Sequence, residues 1–179
     1  MPRNRRPQDR EEKRAEIVAA ATSLFTESGY DESSMSKVAA AAGVTTNTIY
    51  WYFDDKDSLL VAVLDHVLSE SLGEAALESH RPWVDQVLWA VDRLTQYRRL
   101  VTVVHARTAI SPPINTWHDN FHALVDAMLI KGFRRAGVPE MDLKPMAAIG
   151  VFVVEGLLMH PHPEPDRRAI VQALMPPRA

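Results

Sequence analysis

The chain has 179 residues, with 20 lysines and arginines against 23 aspartates and glutamates, for a formal net charge of −3 and a pI near 6.2. A hydrophobic content of 46% suits one or two folded domains and excludes a charged disordered polymer. The absence of cysteine excludes disulfides, thiolate-held metals and thiol nucleophiles and suits a reducing cytoplasm, while no apolar run reaches the roughly 18 residues of a membrane span.

Charge is distributed unevenly. Residues 1–14 hold six bases (Arg3, Arg5, Arg6, Arg10, Lys13, Arg14) against three acids. Residues 15–57 hold Lys37 and Lys56 against seven acids. The basic start leads into charged residues instead of an apolar signal core. A basic arm on an acidic body can attract an anionic polymer, and can equally be a solvated terminus.

Helical periodicity dominates and strand alternation is nearly absent, so the expected fold is all-α with about nine helices. The first helix is expected from about Asp9 to Ser28, with Ile17, Val18, Ala21, Leu24 and Phe25 as its apolar stripe and Gly29 as its left-handed stop. A short second helix follows from about Met35 to Ala42, capped by Ser33 or Ser34. The third begins after Thr45 or Thr46 and reaches about Phe53, where Asp54-Asp55 breaks it. A long fourth runs from about Lys56 towards Ser79, carrying Leu60, Val63, Leu64 and Val67. Further helices are expected at about 83–96, 98–110, 114–136, 142–160 and 166–175, with breaks at Pro112-Pro113, Gly137-Val138-Pro139 and the stretch from His160 to Pro163.

The run from Val38 to Ile49 carries the most chemistry. Ala39 lets a following helix approach closely, Gly43 can take a positive φ, and Val44 and Ile49 plug the corner. That is the arrangement of a helix-turn-helix, although any tight helical corner could use the same residues. The surrounding residues Gly29-Tyr30, Ser33-Ser34, Val38-Ala39, Ala42-Gly43-Val44, Thr48-Ile49-Tyr50, Phe53, Lys56 and Leu59-Leu60 keep their order and spacing without a gap. In this the chain resembles the TetR family of transcriptional regulators. The resemblance implies a dimeric, ligand-responsive regulator, usually a repressor, with residues 1–55 as an arm and DNA-binding head and residues 56–179 as a helical ligand-binding and dimerisation domain.

By its match to that pattern the third helix would be the recognition helix. Ile49 and Phe53, four apart, should face the core, so Thr46, Asn47, Tyr50 and Trp51 should point outward. Asn47 can pair two-fold with an adenine edge, Thr46 can offer a hydroxyl or touch a thymine methyl, and Tyr50 and Trp51 can pack on methyls or sugars. The resemblance implies that Tyr52 and Lys56 lie on the phosphate backbone and that Ser34, Thr45 and Thr48 donate hydroxyl hydrogen bonds. The chain departs from the family pattern in carrying Asn47 where Gly is frequent, and Lys37 where an acid is common. Phosphate attraction should therefore come from Lys37, Lys56 and the arm.

In the body, Trp89, Trp117, Phe121 and Met128 are candidate walls of an apolar pocket for an unknown small-molecule effector, with His105 and His122 as polar tips; the same residues at helical spacing would also serve as core. His118 and His122 stand four apart, as two metal ligands can, but His-Asp-Asn-Phe-His is not the His-Glu-x-x-His of a metallohydrolase, and no metal or other cofactor is expected. The apolar segment at 142–160 and the short one at 166–175 should form a homodimer interface, as the resemblance implies. The expected partners are a palindromic double-stranded operator, the effector and a second copy, with no membrane. The alternatives are a metal-dependent helical hydrolase at His118/His122 and a helical ligand-binding adaptor that does not touch DNA.

Overall fold

A computed structural model describes residues 7–176, and within them helices joined by turns and short loops are the regular structure, with no strand among the described residues. Nine α-helices follow one another among the described residues: α1 (Pro7–Glu27), α2 (Met35–Ala41), α3 (Thr46–Tyr50), α4 (Lys56–Leu77), α5 (Trp83–Gln96), α6 (Arg98–Arg107), α7 (Pro112–Arg135), α8 (Leu143–Met159) and α9 (Glu164–Gln172). Single 3-10 turns lie at Glu78–His80 and Glu140–Asp142.

Most boundaries follow local chemistry. Ser34 and not Ser33 caps α2, its hydroxyl accepting from the Lys37 amide at 3.2 Å. Ser33 is fully buried and donates back to the Gly29 carbonyl at 2.7 Å, tying the loop to the end of α1. Thr45 and not Thr46 caps α3 by accepting from the Thr48 amide. The expected breaks at residues 137–139 and 160–163 fall between helices, whereas Pro112-Pro113 lie in the first turn of α7. Pro112 opens α7 and Pro165 lies in the first turn of α9, positions where the missing N–H has no intrahelical partner to lose. α3 ends at Tyr50 rather than Phe53, with a looser turn carrying the amides of Tyr52 and Phe53 to the Ile49 carbonyl at 2.8 and 2.9 Å.

The chain divides into two compact units, Met1–Glu70 with Arg99–Trp117, and Ser71–Arg98 with His118–Ala179. In the second, Val87, Leu88 and Val91 of α5 pack with Leu157 and Leu158 of α8 and Val171 of α9. Leu129 and Phe133 of α7 pack with Leu143 and Ala147 of α8 and with Leu174. Trp83 lies against the α7 backbone, where a Cβ on Gly132 would come within 2.0 Å of its indole nitrogen. Only glycine admits that approach.

In the first unit, α1, α2, α3 and the start of α4 enclose a core of Ile17, Ala21, Phe25, Val38, Ile49, Phe53, Leu59 and Leu60, all nearly or fully buried. Helix α6 is fastened to this head at both ends. At one end Arg99 donates to the carbonyls of Thr26 and Glu27, which close α1. At the other, Arg107 grips Asp57 through two parallel bonds, Nε to Oδ1 at 2.8 Å and Nη2 to Oδ2 at 2.7 Å. The Tyr30 hydroxyl donates to the same carboxylate, and Ser111 hydrogen-bonds it as well. Burial alone would push the Asp57 carboxyl up, but the bonds from Arg107, Tyr30 and Ser111 outweigh it and hold it below its ordinary value. The Tyr30 hydroxyl is driven far upward, first by burial and then by its bond to Asp57, so it stays a neutral donor.

The folded-state pKa of Asp57 lies below its unfolded value of about 4. The cluster therefore stabilises the fold at pH above that value, and its contribution disappears as pH falls through the folded pKa. Asp57→Asn should lower stability in urea melts at neutral pH by about 1–3 kcal/mol. The gap between wild type and variant should narrow in acid, whereas a gap absent at neutral pH, or unchanged by acid, would contradict this role.

Candidate nucleic-acid interface

The corner between α2 and α3 turns on one backbone conformation. Gly43 has φ +64°, and a Cβ built on it would meet nothing within 4 Å. The demand for glycine is thus one of backbone conformation and not of space. The turn closes with the Val44 amide donating to the Ala39 carbonyl at 3.0 Å and the Gly43 amide to the Ala40 carbonyl at 3.2 Å. Ala39 is buried beneath it, as expected of a small residue at a close helix crossing. Ile49 is fully buried and Phe53 nearly so, which fixes the rotation of α3.

With that face committed, the opposite face is presented outward. Asn47 is exposed, Tyr50 is 52% exposed and Trp51 is 80% exposed. Thr46 is half-buried, its hydroxyl 3.4 Å from that of Ser36 on α2. Thr48 and Tyr52 are also half-buried. The hydroxyls of Thr45 and Thr48 lie 2.9 Å apart and bond to each other. As N-caps, Ser34 and Thr45 receive backbone amides through oxygen lone pairs, and both residues are exposed.

The two head lysines are engaged within the fold. Lys37 donates to the Glu32 carbonyl at 2.7 Å. The Lys56 ammonium sits 4.0 Å from the centre of the Tyr30 ring, and burial lowers its pKa. Arg14, counted in the sequence only as part of the basic arm, has its guanidinium 5.2 Å from the Phe53 ring, at the end of the recognition turn. It lies three and four positions before Ile17 and Val18, so helical spacing already placed it on the head-facing side of α1. Arg3, Arg5 and Arg6 of the arm lie outside the described residues.

The residues expected to line an effector pocket fall in both units. His105 and Trp117 belong to the first, where the Trp117 indole N–H donates to Asp65 Oδ1 at 2.9 Å. Trp89, Phe121, His122 and Met128 belong to the second. There the rings of His118 and His122 lie 4.3 Å apart, Phe121 meets His122 edge-on at 5.9 Å, and His122 Nε2 is 3.8 Å from Glu155 on α8. Met128 is 49% exposed. The second unit also holds an open cavity of about 310 Å³, lined by residues that include Val138, Pro145, Met146, Leu174 and Met175, with Asp142 at its edge.

Comparison with known proteins rests mainly on the head. Residues 17–63 match the family described as bacterial regulatory proteins, tetR family. A stretch of 58 residues is 47% identical to the HTH-type transcriptional regulator HbdR of Aromatoleum sp. (strain CIB), covering 32% of this chain and 25% of HbdR. The match therefore spans about a quarter of that relative's length. Likeness in fold extends further. NalD, the secondary repressor of the MexAB-OprM multidrug efflux pump in Pseudomonas aeruginosa, superimposes with a TM-score of 0.63 at 25% identity over 93% of this chain and 95% of its own. AibR, solved with isovaleryl coenzyme A and operator DNA, superimposes with a TM-score of 0.62 at 17% identity over 93% of this chain and 100% of its own. The α2–α3 corner and the match over residues 17–63 give this chain a head of the tetR family of bacterial regulatory proteins, and the fold it shares with NalD extends along the chain.

Proposed function

We propose that the protein is a sequence-specific DNA-binding transcriptional regulator, a ligand-responsive repressor that binds a palindromic operator as a homodimer. The observation that carries this reading is the outward face of α3. An exposed amide and two exposed aromatic rings stand on a short helix whose opposite side is locked into the core. Such a face gains little from facing water, and it matches a major groove in kind. Residues 1–55 act as the operator-binding part and residues 56–179 as the effector-binding and dimerising part. The sequence offers no nucleophile elbow, phosphate loop or cysteine, which supports a binding protein over an enzyme. No helix among the described residues is long and apolar enough to cross a membrane, and we place the protein in the cytoplasm, where its operator would be.

The second copy would dock on α8. Pro145, Ala148, Ile149, Phe152 and Met159 fall on one stripe of that helix and are exposed, Phe152 by 70% and Met159 by 69%. The five residues are uncharged, with Glu155 at the edge of the stripe 3.8 Å from His122, and AibR and NalD share this fold. A two-fold pairing would place two copies of α3 about 34–36 Å apart, or a multiple, to meet successive half-sites. An effector bound in the body releases DNA only if it binds the low-affinity arrangement better, a shift of populations that Leu60, Val63 and Leu64 of α4 would pass to the head.

Phe152→Glu should convert the protein to a monomer in sedimentation equilibrium and sharply weaken palindrome binding. A dimer undisturbed by that change would remove α8 from the interface. For the operator, the test is binding of the full chain to palindromes from its own upstream region across a salt series. Deleting residues 1–8 should weaken binding and flatten the salt dependence while leaving the preferred sequence intact. An unchanged affinity and slope would exclude the arm from the complex.

A further inference from the structure

We infer that the base pairs read by α3 are A·T pairs, with thymine methyl groups against Trp51 and Tyr50 and an adenine edge on Asn47. This rests on the reading of α3 as the helix that enters the major groove. From Ser34 to Phe53 the one charged residue is Lys37. It lies on α2 and its ammonium is given to the Glu32 carbonyl. Guanine shows two acceptors in the major groove and is read most often by the paired donors of Arg or by Lys. Cytosine shows a donor and is read by the acceptors of Glu or Asp. The outward face of α3 holds none of these four residues.

What it does hold fits the other pair. The Asn47 amide has a donor and an acceptor, the complement of adenine N7 and its N6 amino group. Thymine alone among the bases carries a methyl group in the groove, and two aromatic rings stand exposed on this turn, Trp51 by 80% and Tyr50 by 52%. The threonine hydroxyls can serve any base and so do not tell one pair from another; those of Thr45 and Thr48 bond to each other, and that of Thr46 lies 3.4 Å from Ser36. Discrimination is thereby left to Asn47, Tyr50 and Trp51.

The experiment begins with selection of duplexes from a random pool by the full-length protein. Each thymine of the recovered half-site is then replaced singly by deoxyuridine, which removes the methyl and keeps the pairing. Each adenine is replaced by 7-deazaadenine, which removes the N7 acceptor. Half-sites should carry A·T pairs at the positions facing α3. At one or two thymines, loss of the methyl should weaken binding about fourfold, and Trp51→Ala or Tyr50→Ala should be indifferent to that loss. At one adenine the deaza analogue should weaken binding about tenfold or more, and Asn47→Ala should be blind to it. Because the wild-type protein reads every modified duplex, the result does not depend on the folding of a variant. Specific binding with G·C at the positions whose preference these variants relax, or with no sensitivity to any thymine methyl, overturns the inference and leaves the operator reading standing. Recovery of no specific sequence at all overturns both.

Discussion

A helix of five residues cannot hold itself together in water, because nucleation alone exceeds what one turn of hydrogen bonds returns. α3 exists because Ile49 and Phe53 are drawn into the core with Ile17, Phe25, Val38 and Leu60, and because Thr45 caps its first turn. The same burial sets its rotation. A one-residue slip would bring an aromatic inward and turn Ile49 out to solvent. The outward position of Asn47, Tyr50 and Trp51 is thus a consequence of core packing, and the positive φ of Gly43 sets the angle at which that core receives the helix.

The electrostatics of the head sharpen this picture. Whole-chain acidity is a poor guide to a nucleic-acid partner, since the bases of the arm and the acids of the head act locally. Lys37 rests its exposed ammonium on the Glu32 carbonyl, and Lys56 sits over the Tyr30 ring. On the proposed reading, attraction to phosphate comes from these lysines and the basic residues of the arm and α1, and discrimination from uncharged groups. The Asp57 cluster has a different part. It joins Arg107 at the end of α6 to Tyr30 at the end of α1 and to the first turn of α4. A displacement of α6 would therefore pull on the head through this carboxylate at one end and through the Arg99 bonds to the α1 carbonyls at the other.

Much of this was legible in the sequence, for physical reasons that differ by region. Ile17, Ala21 and Phe25, and later Val38, Ile49 and Phe53, form helical stripes with the turn residue Gly43 at a fixed offset, and the buried places of the six apolar residues follow from spacing. α7 and α9 start two residues before the expected positions, because a proline pattern alone does not separate a first turn from a break. The Arg107–Asp57 pair joins residues 50 apart, and no local signal announces it. The binding roles assigned to Trp89, His105, Trp117, Phe121, His122 and Met128 rest on composition, and aromatic and histidine residues at helical spacing serve a core as readily as a pocket. Hence the fold defines the residues proposed to face the operator more sharply than those proposed for the effector site.

The central claim is that the α2–α3 corner is the surface that meets DNA. Hydrogen–deuterium exchange of the full-length protein, with and without a duplex recovered by selection, tests it most directly. Binding should slow exchange in peptides covering Ser34–Lys37 and Thr45–Phe53, while peptides of α8 and α9 keep the rates of the free protein. Unchanged exchange across the corner, with protection confined to the second unit, would contradict it.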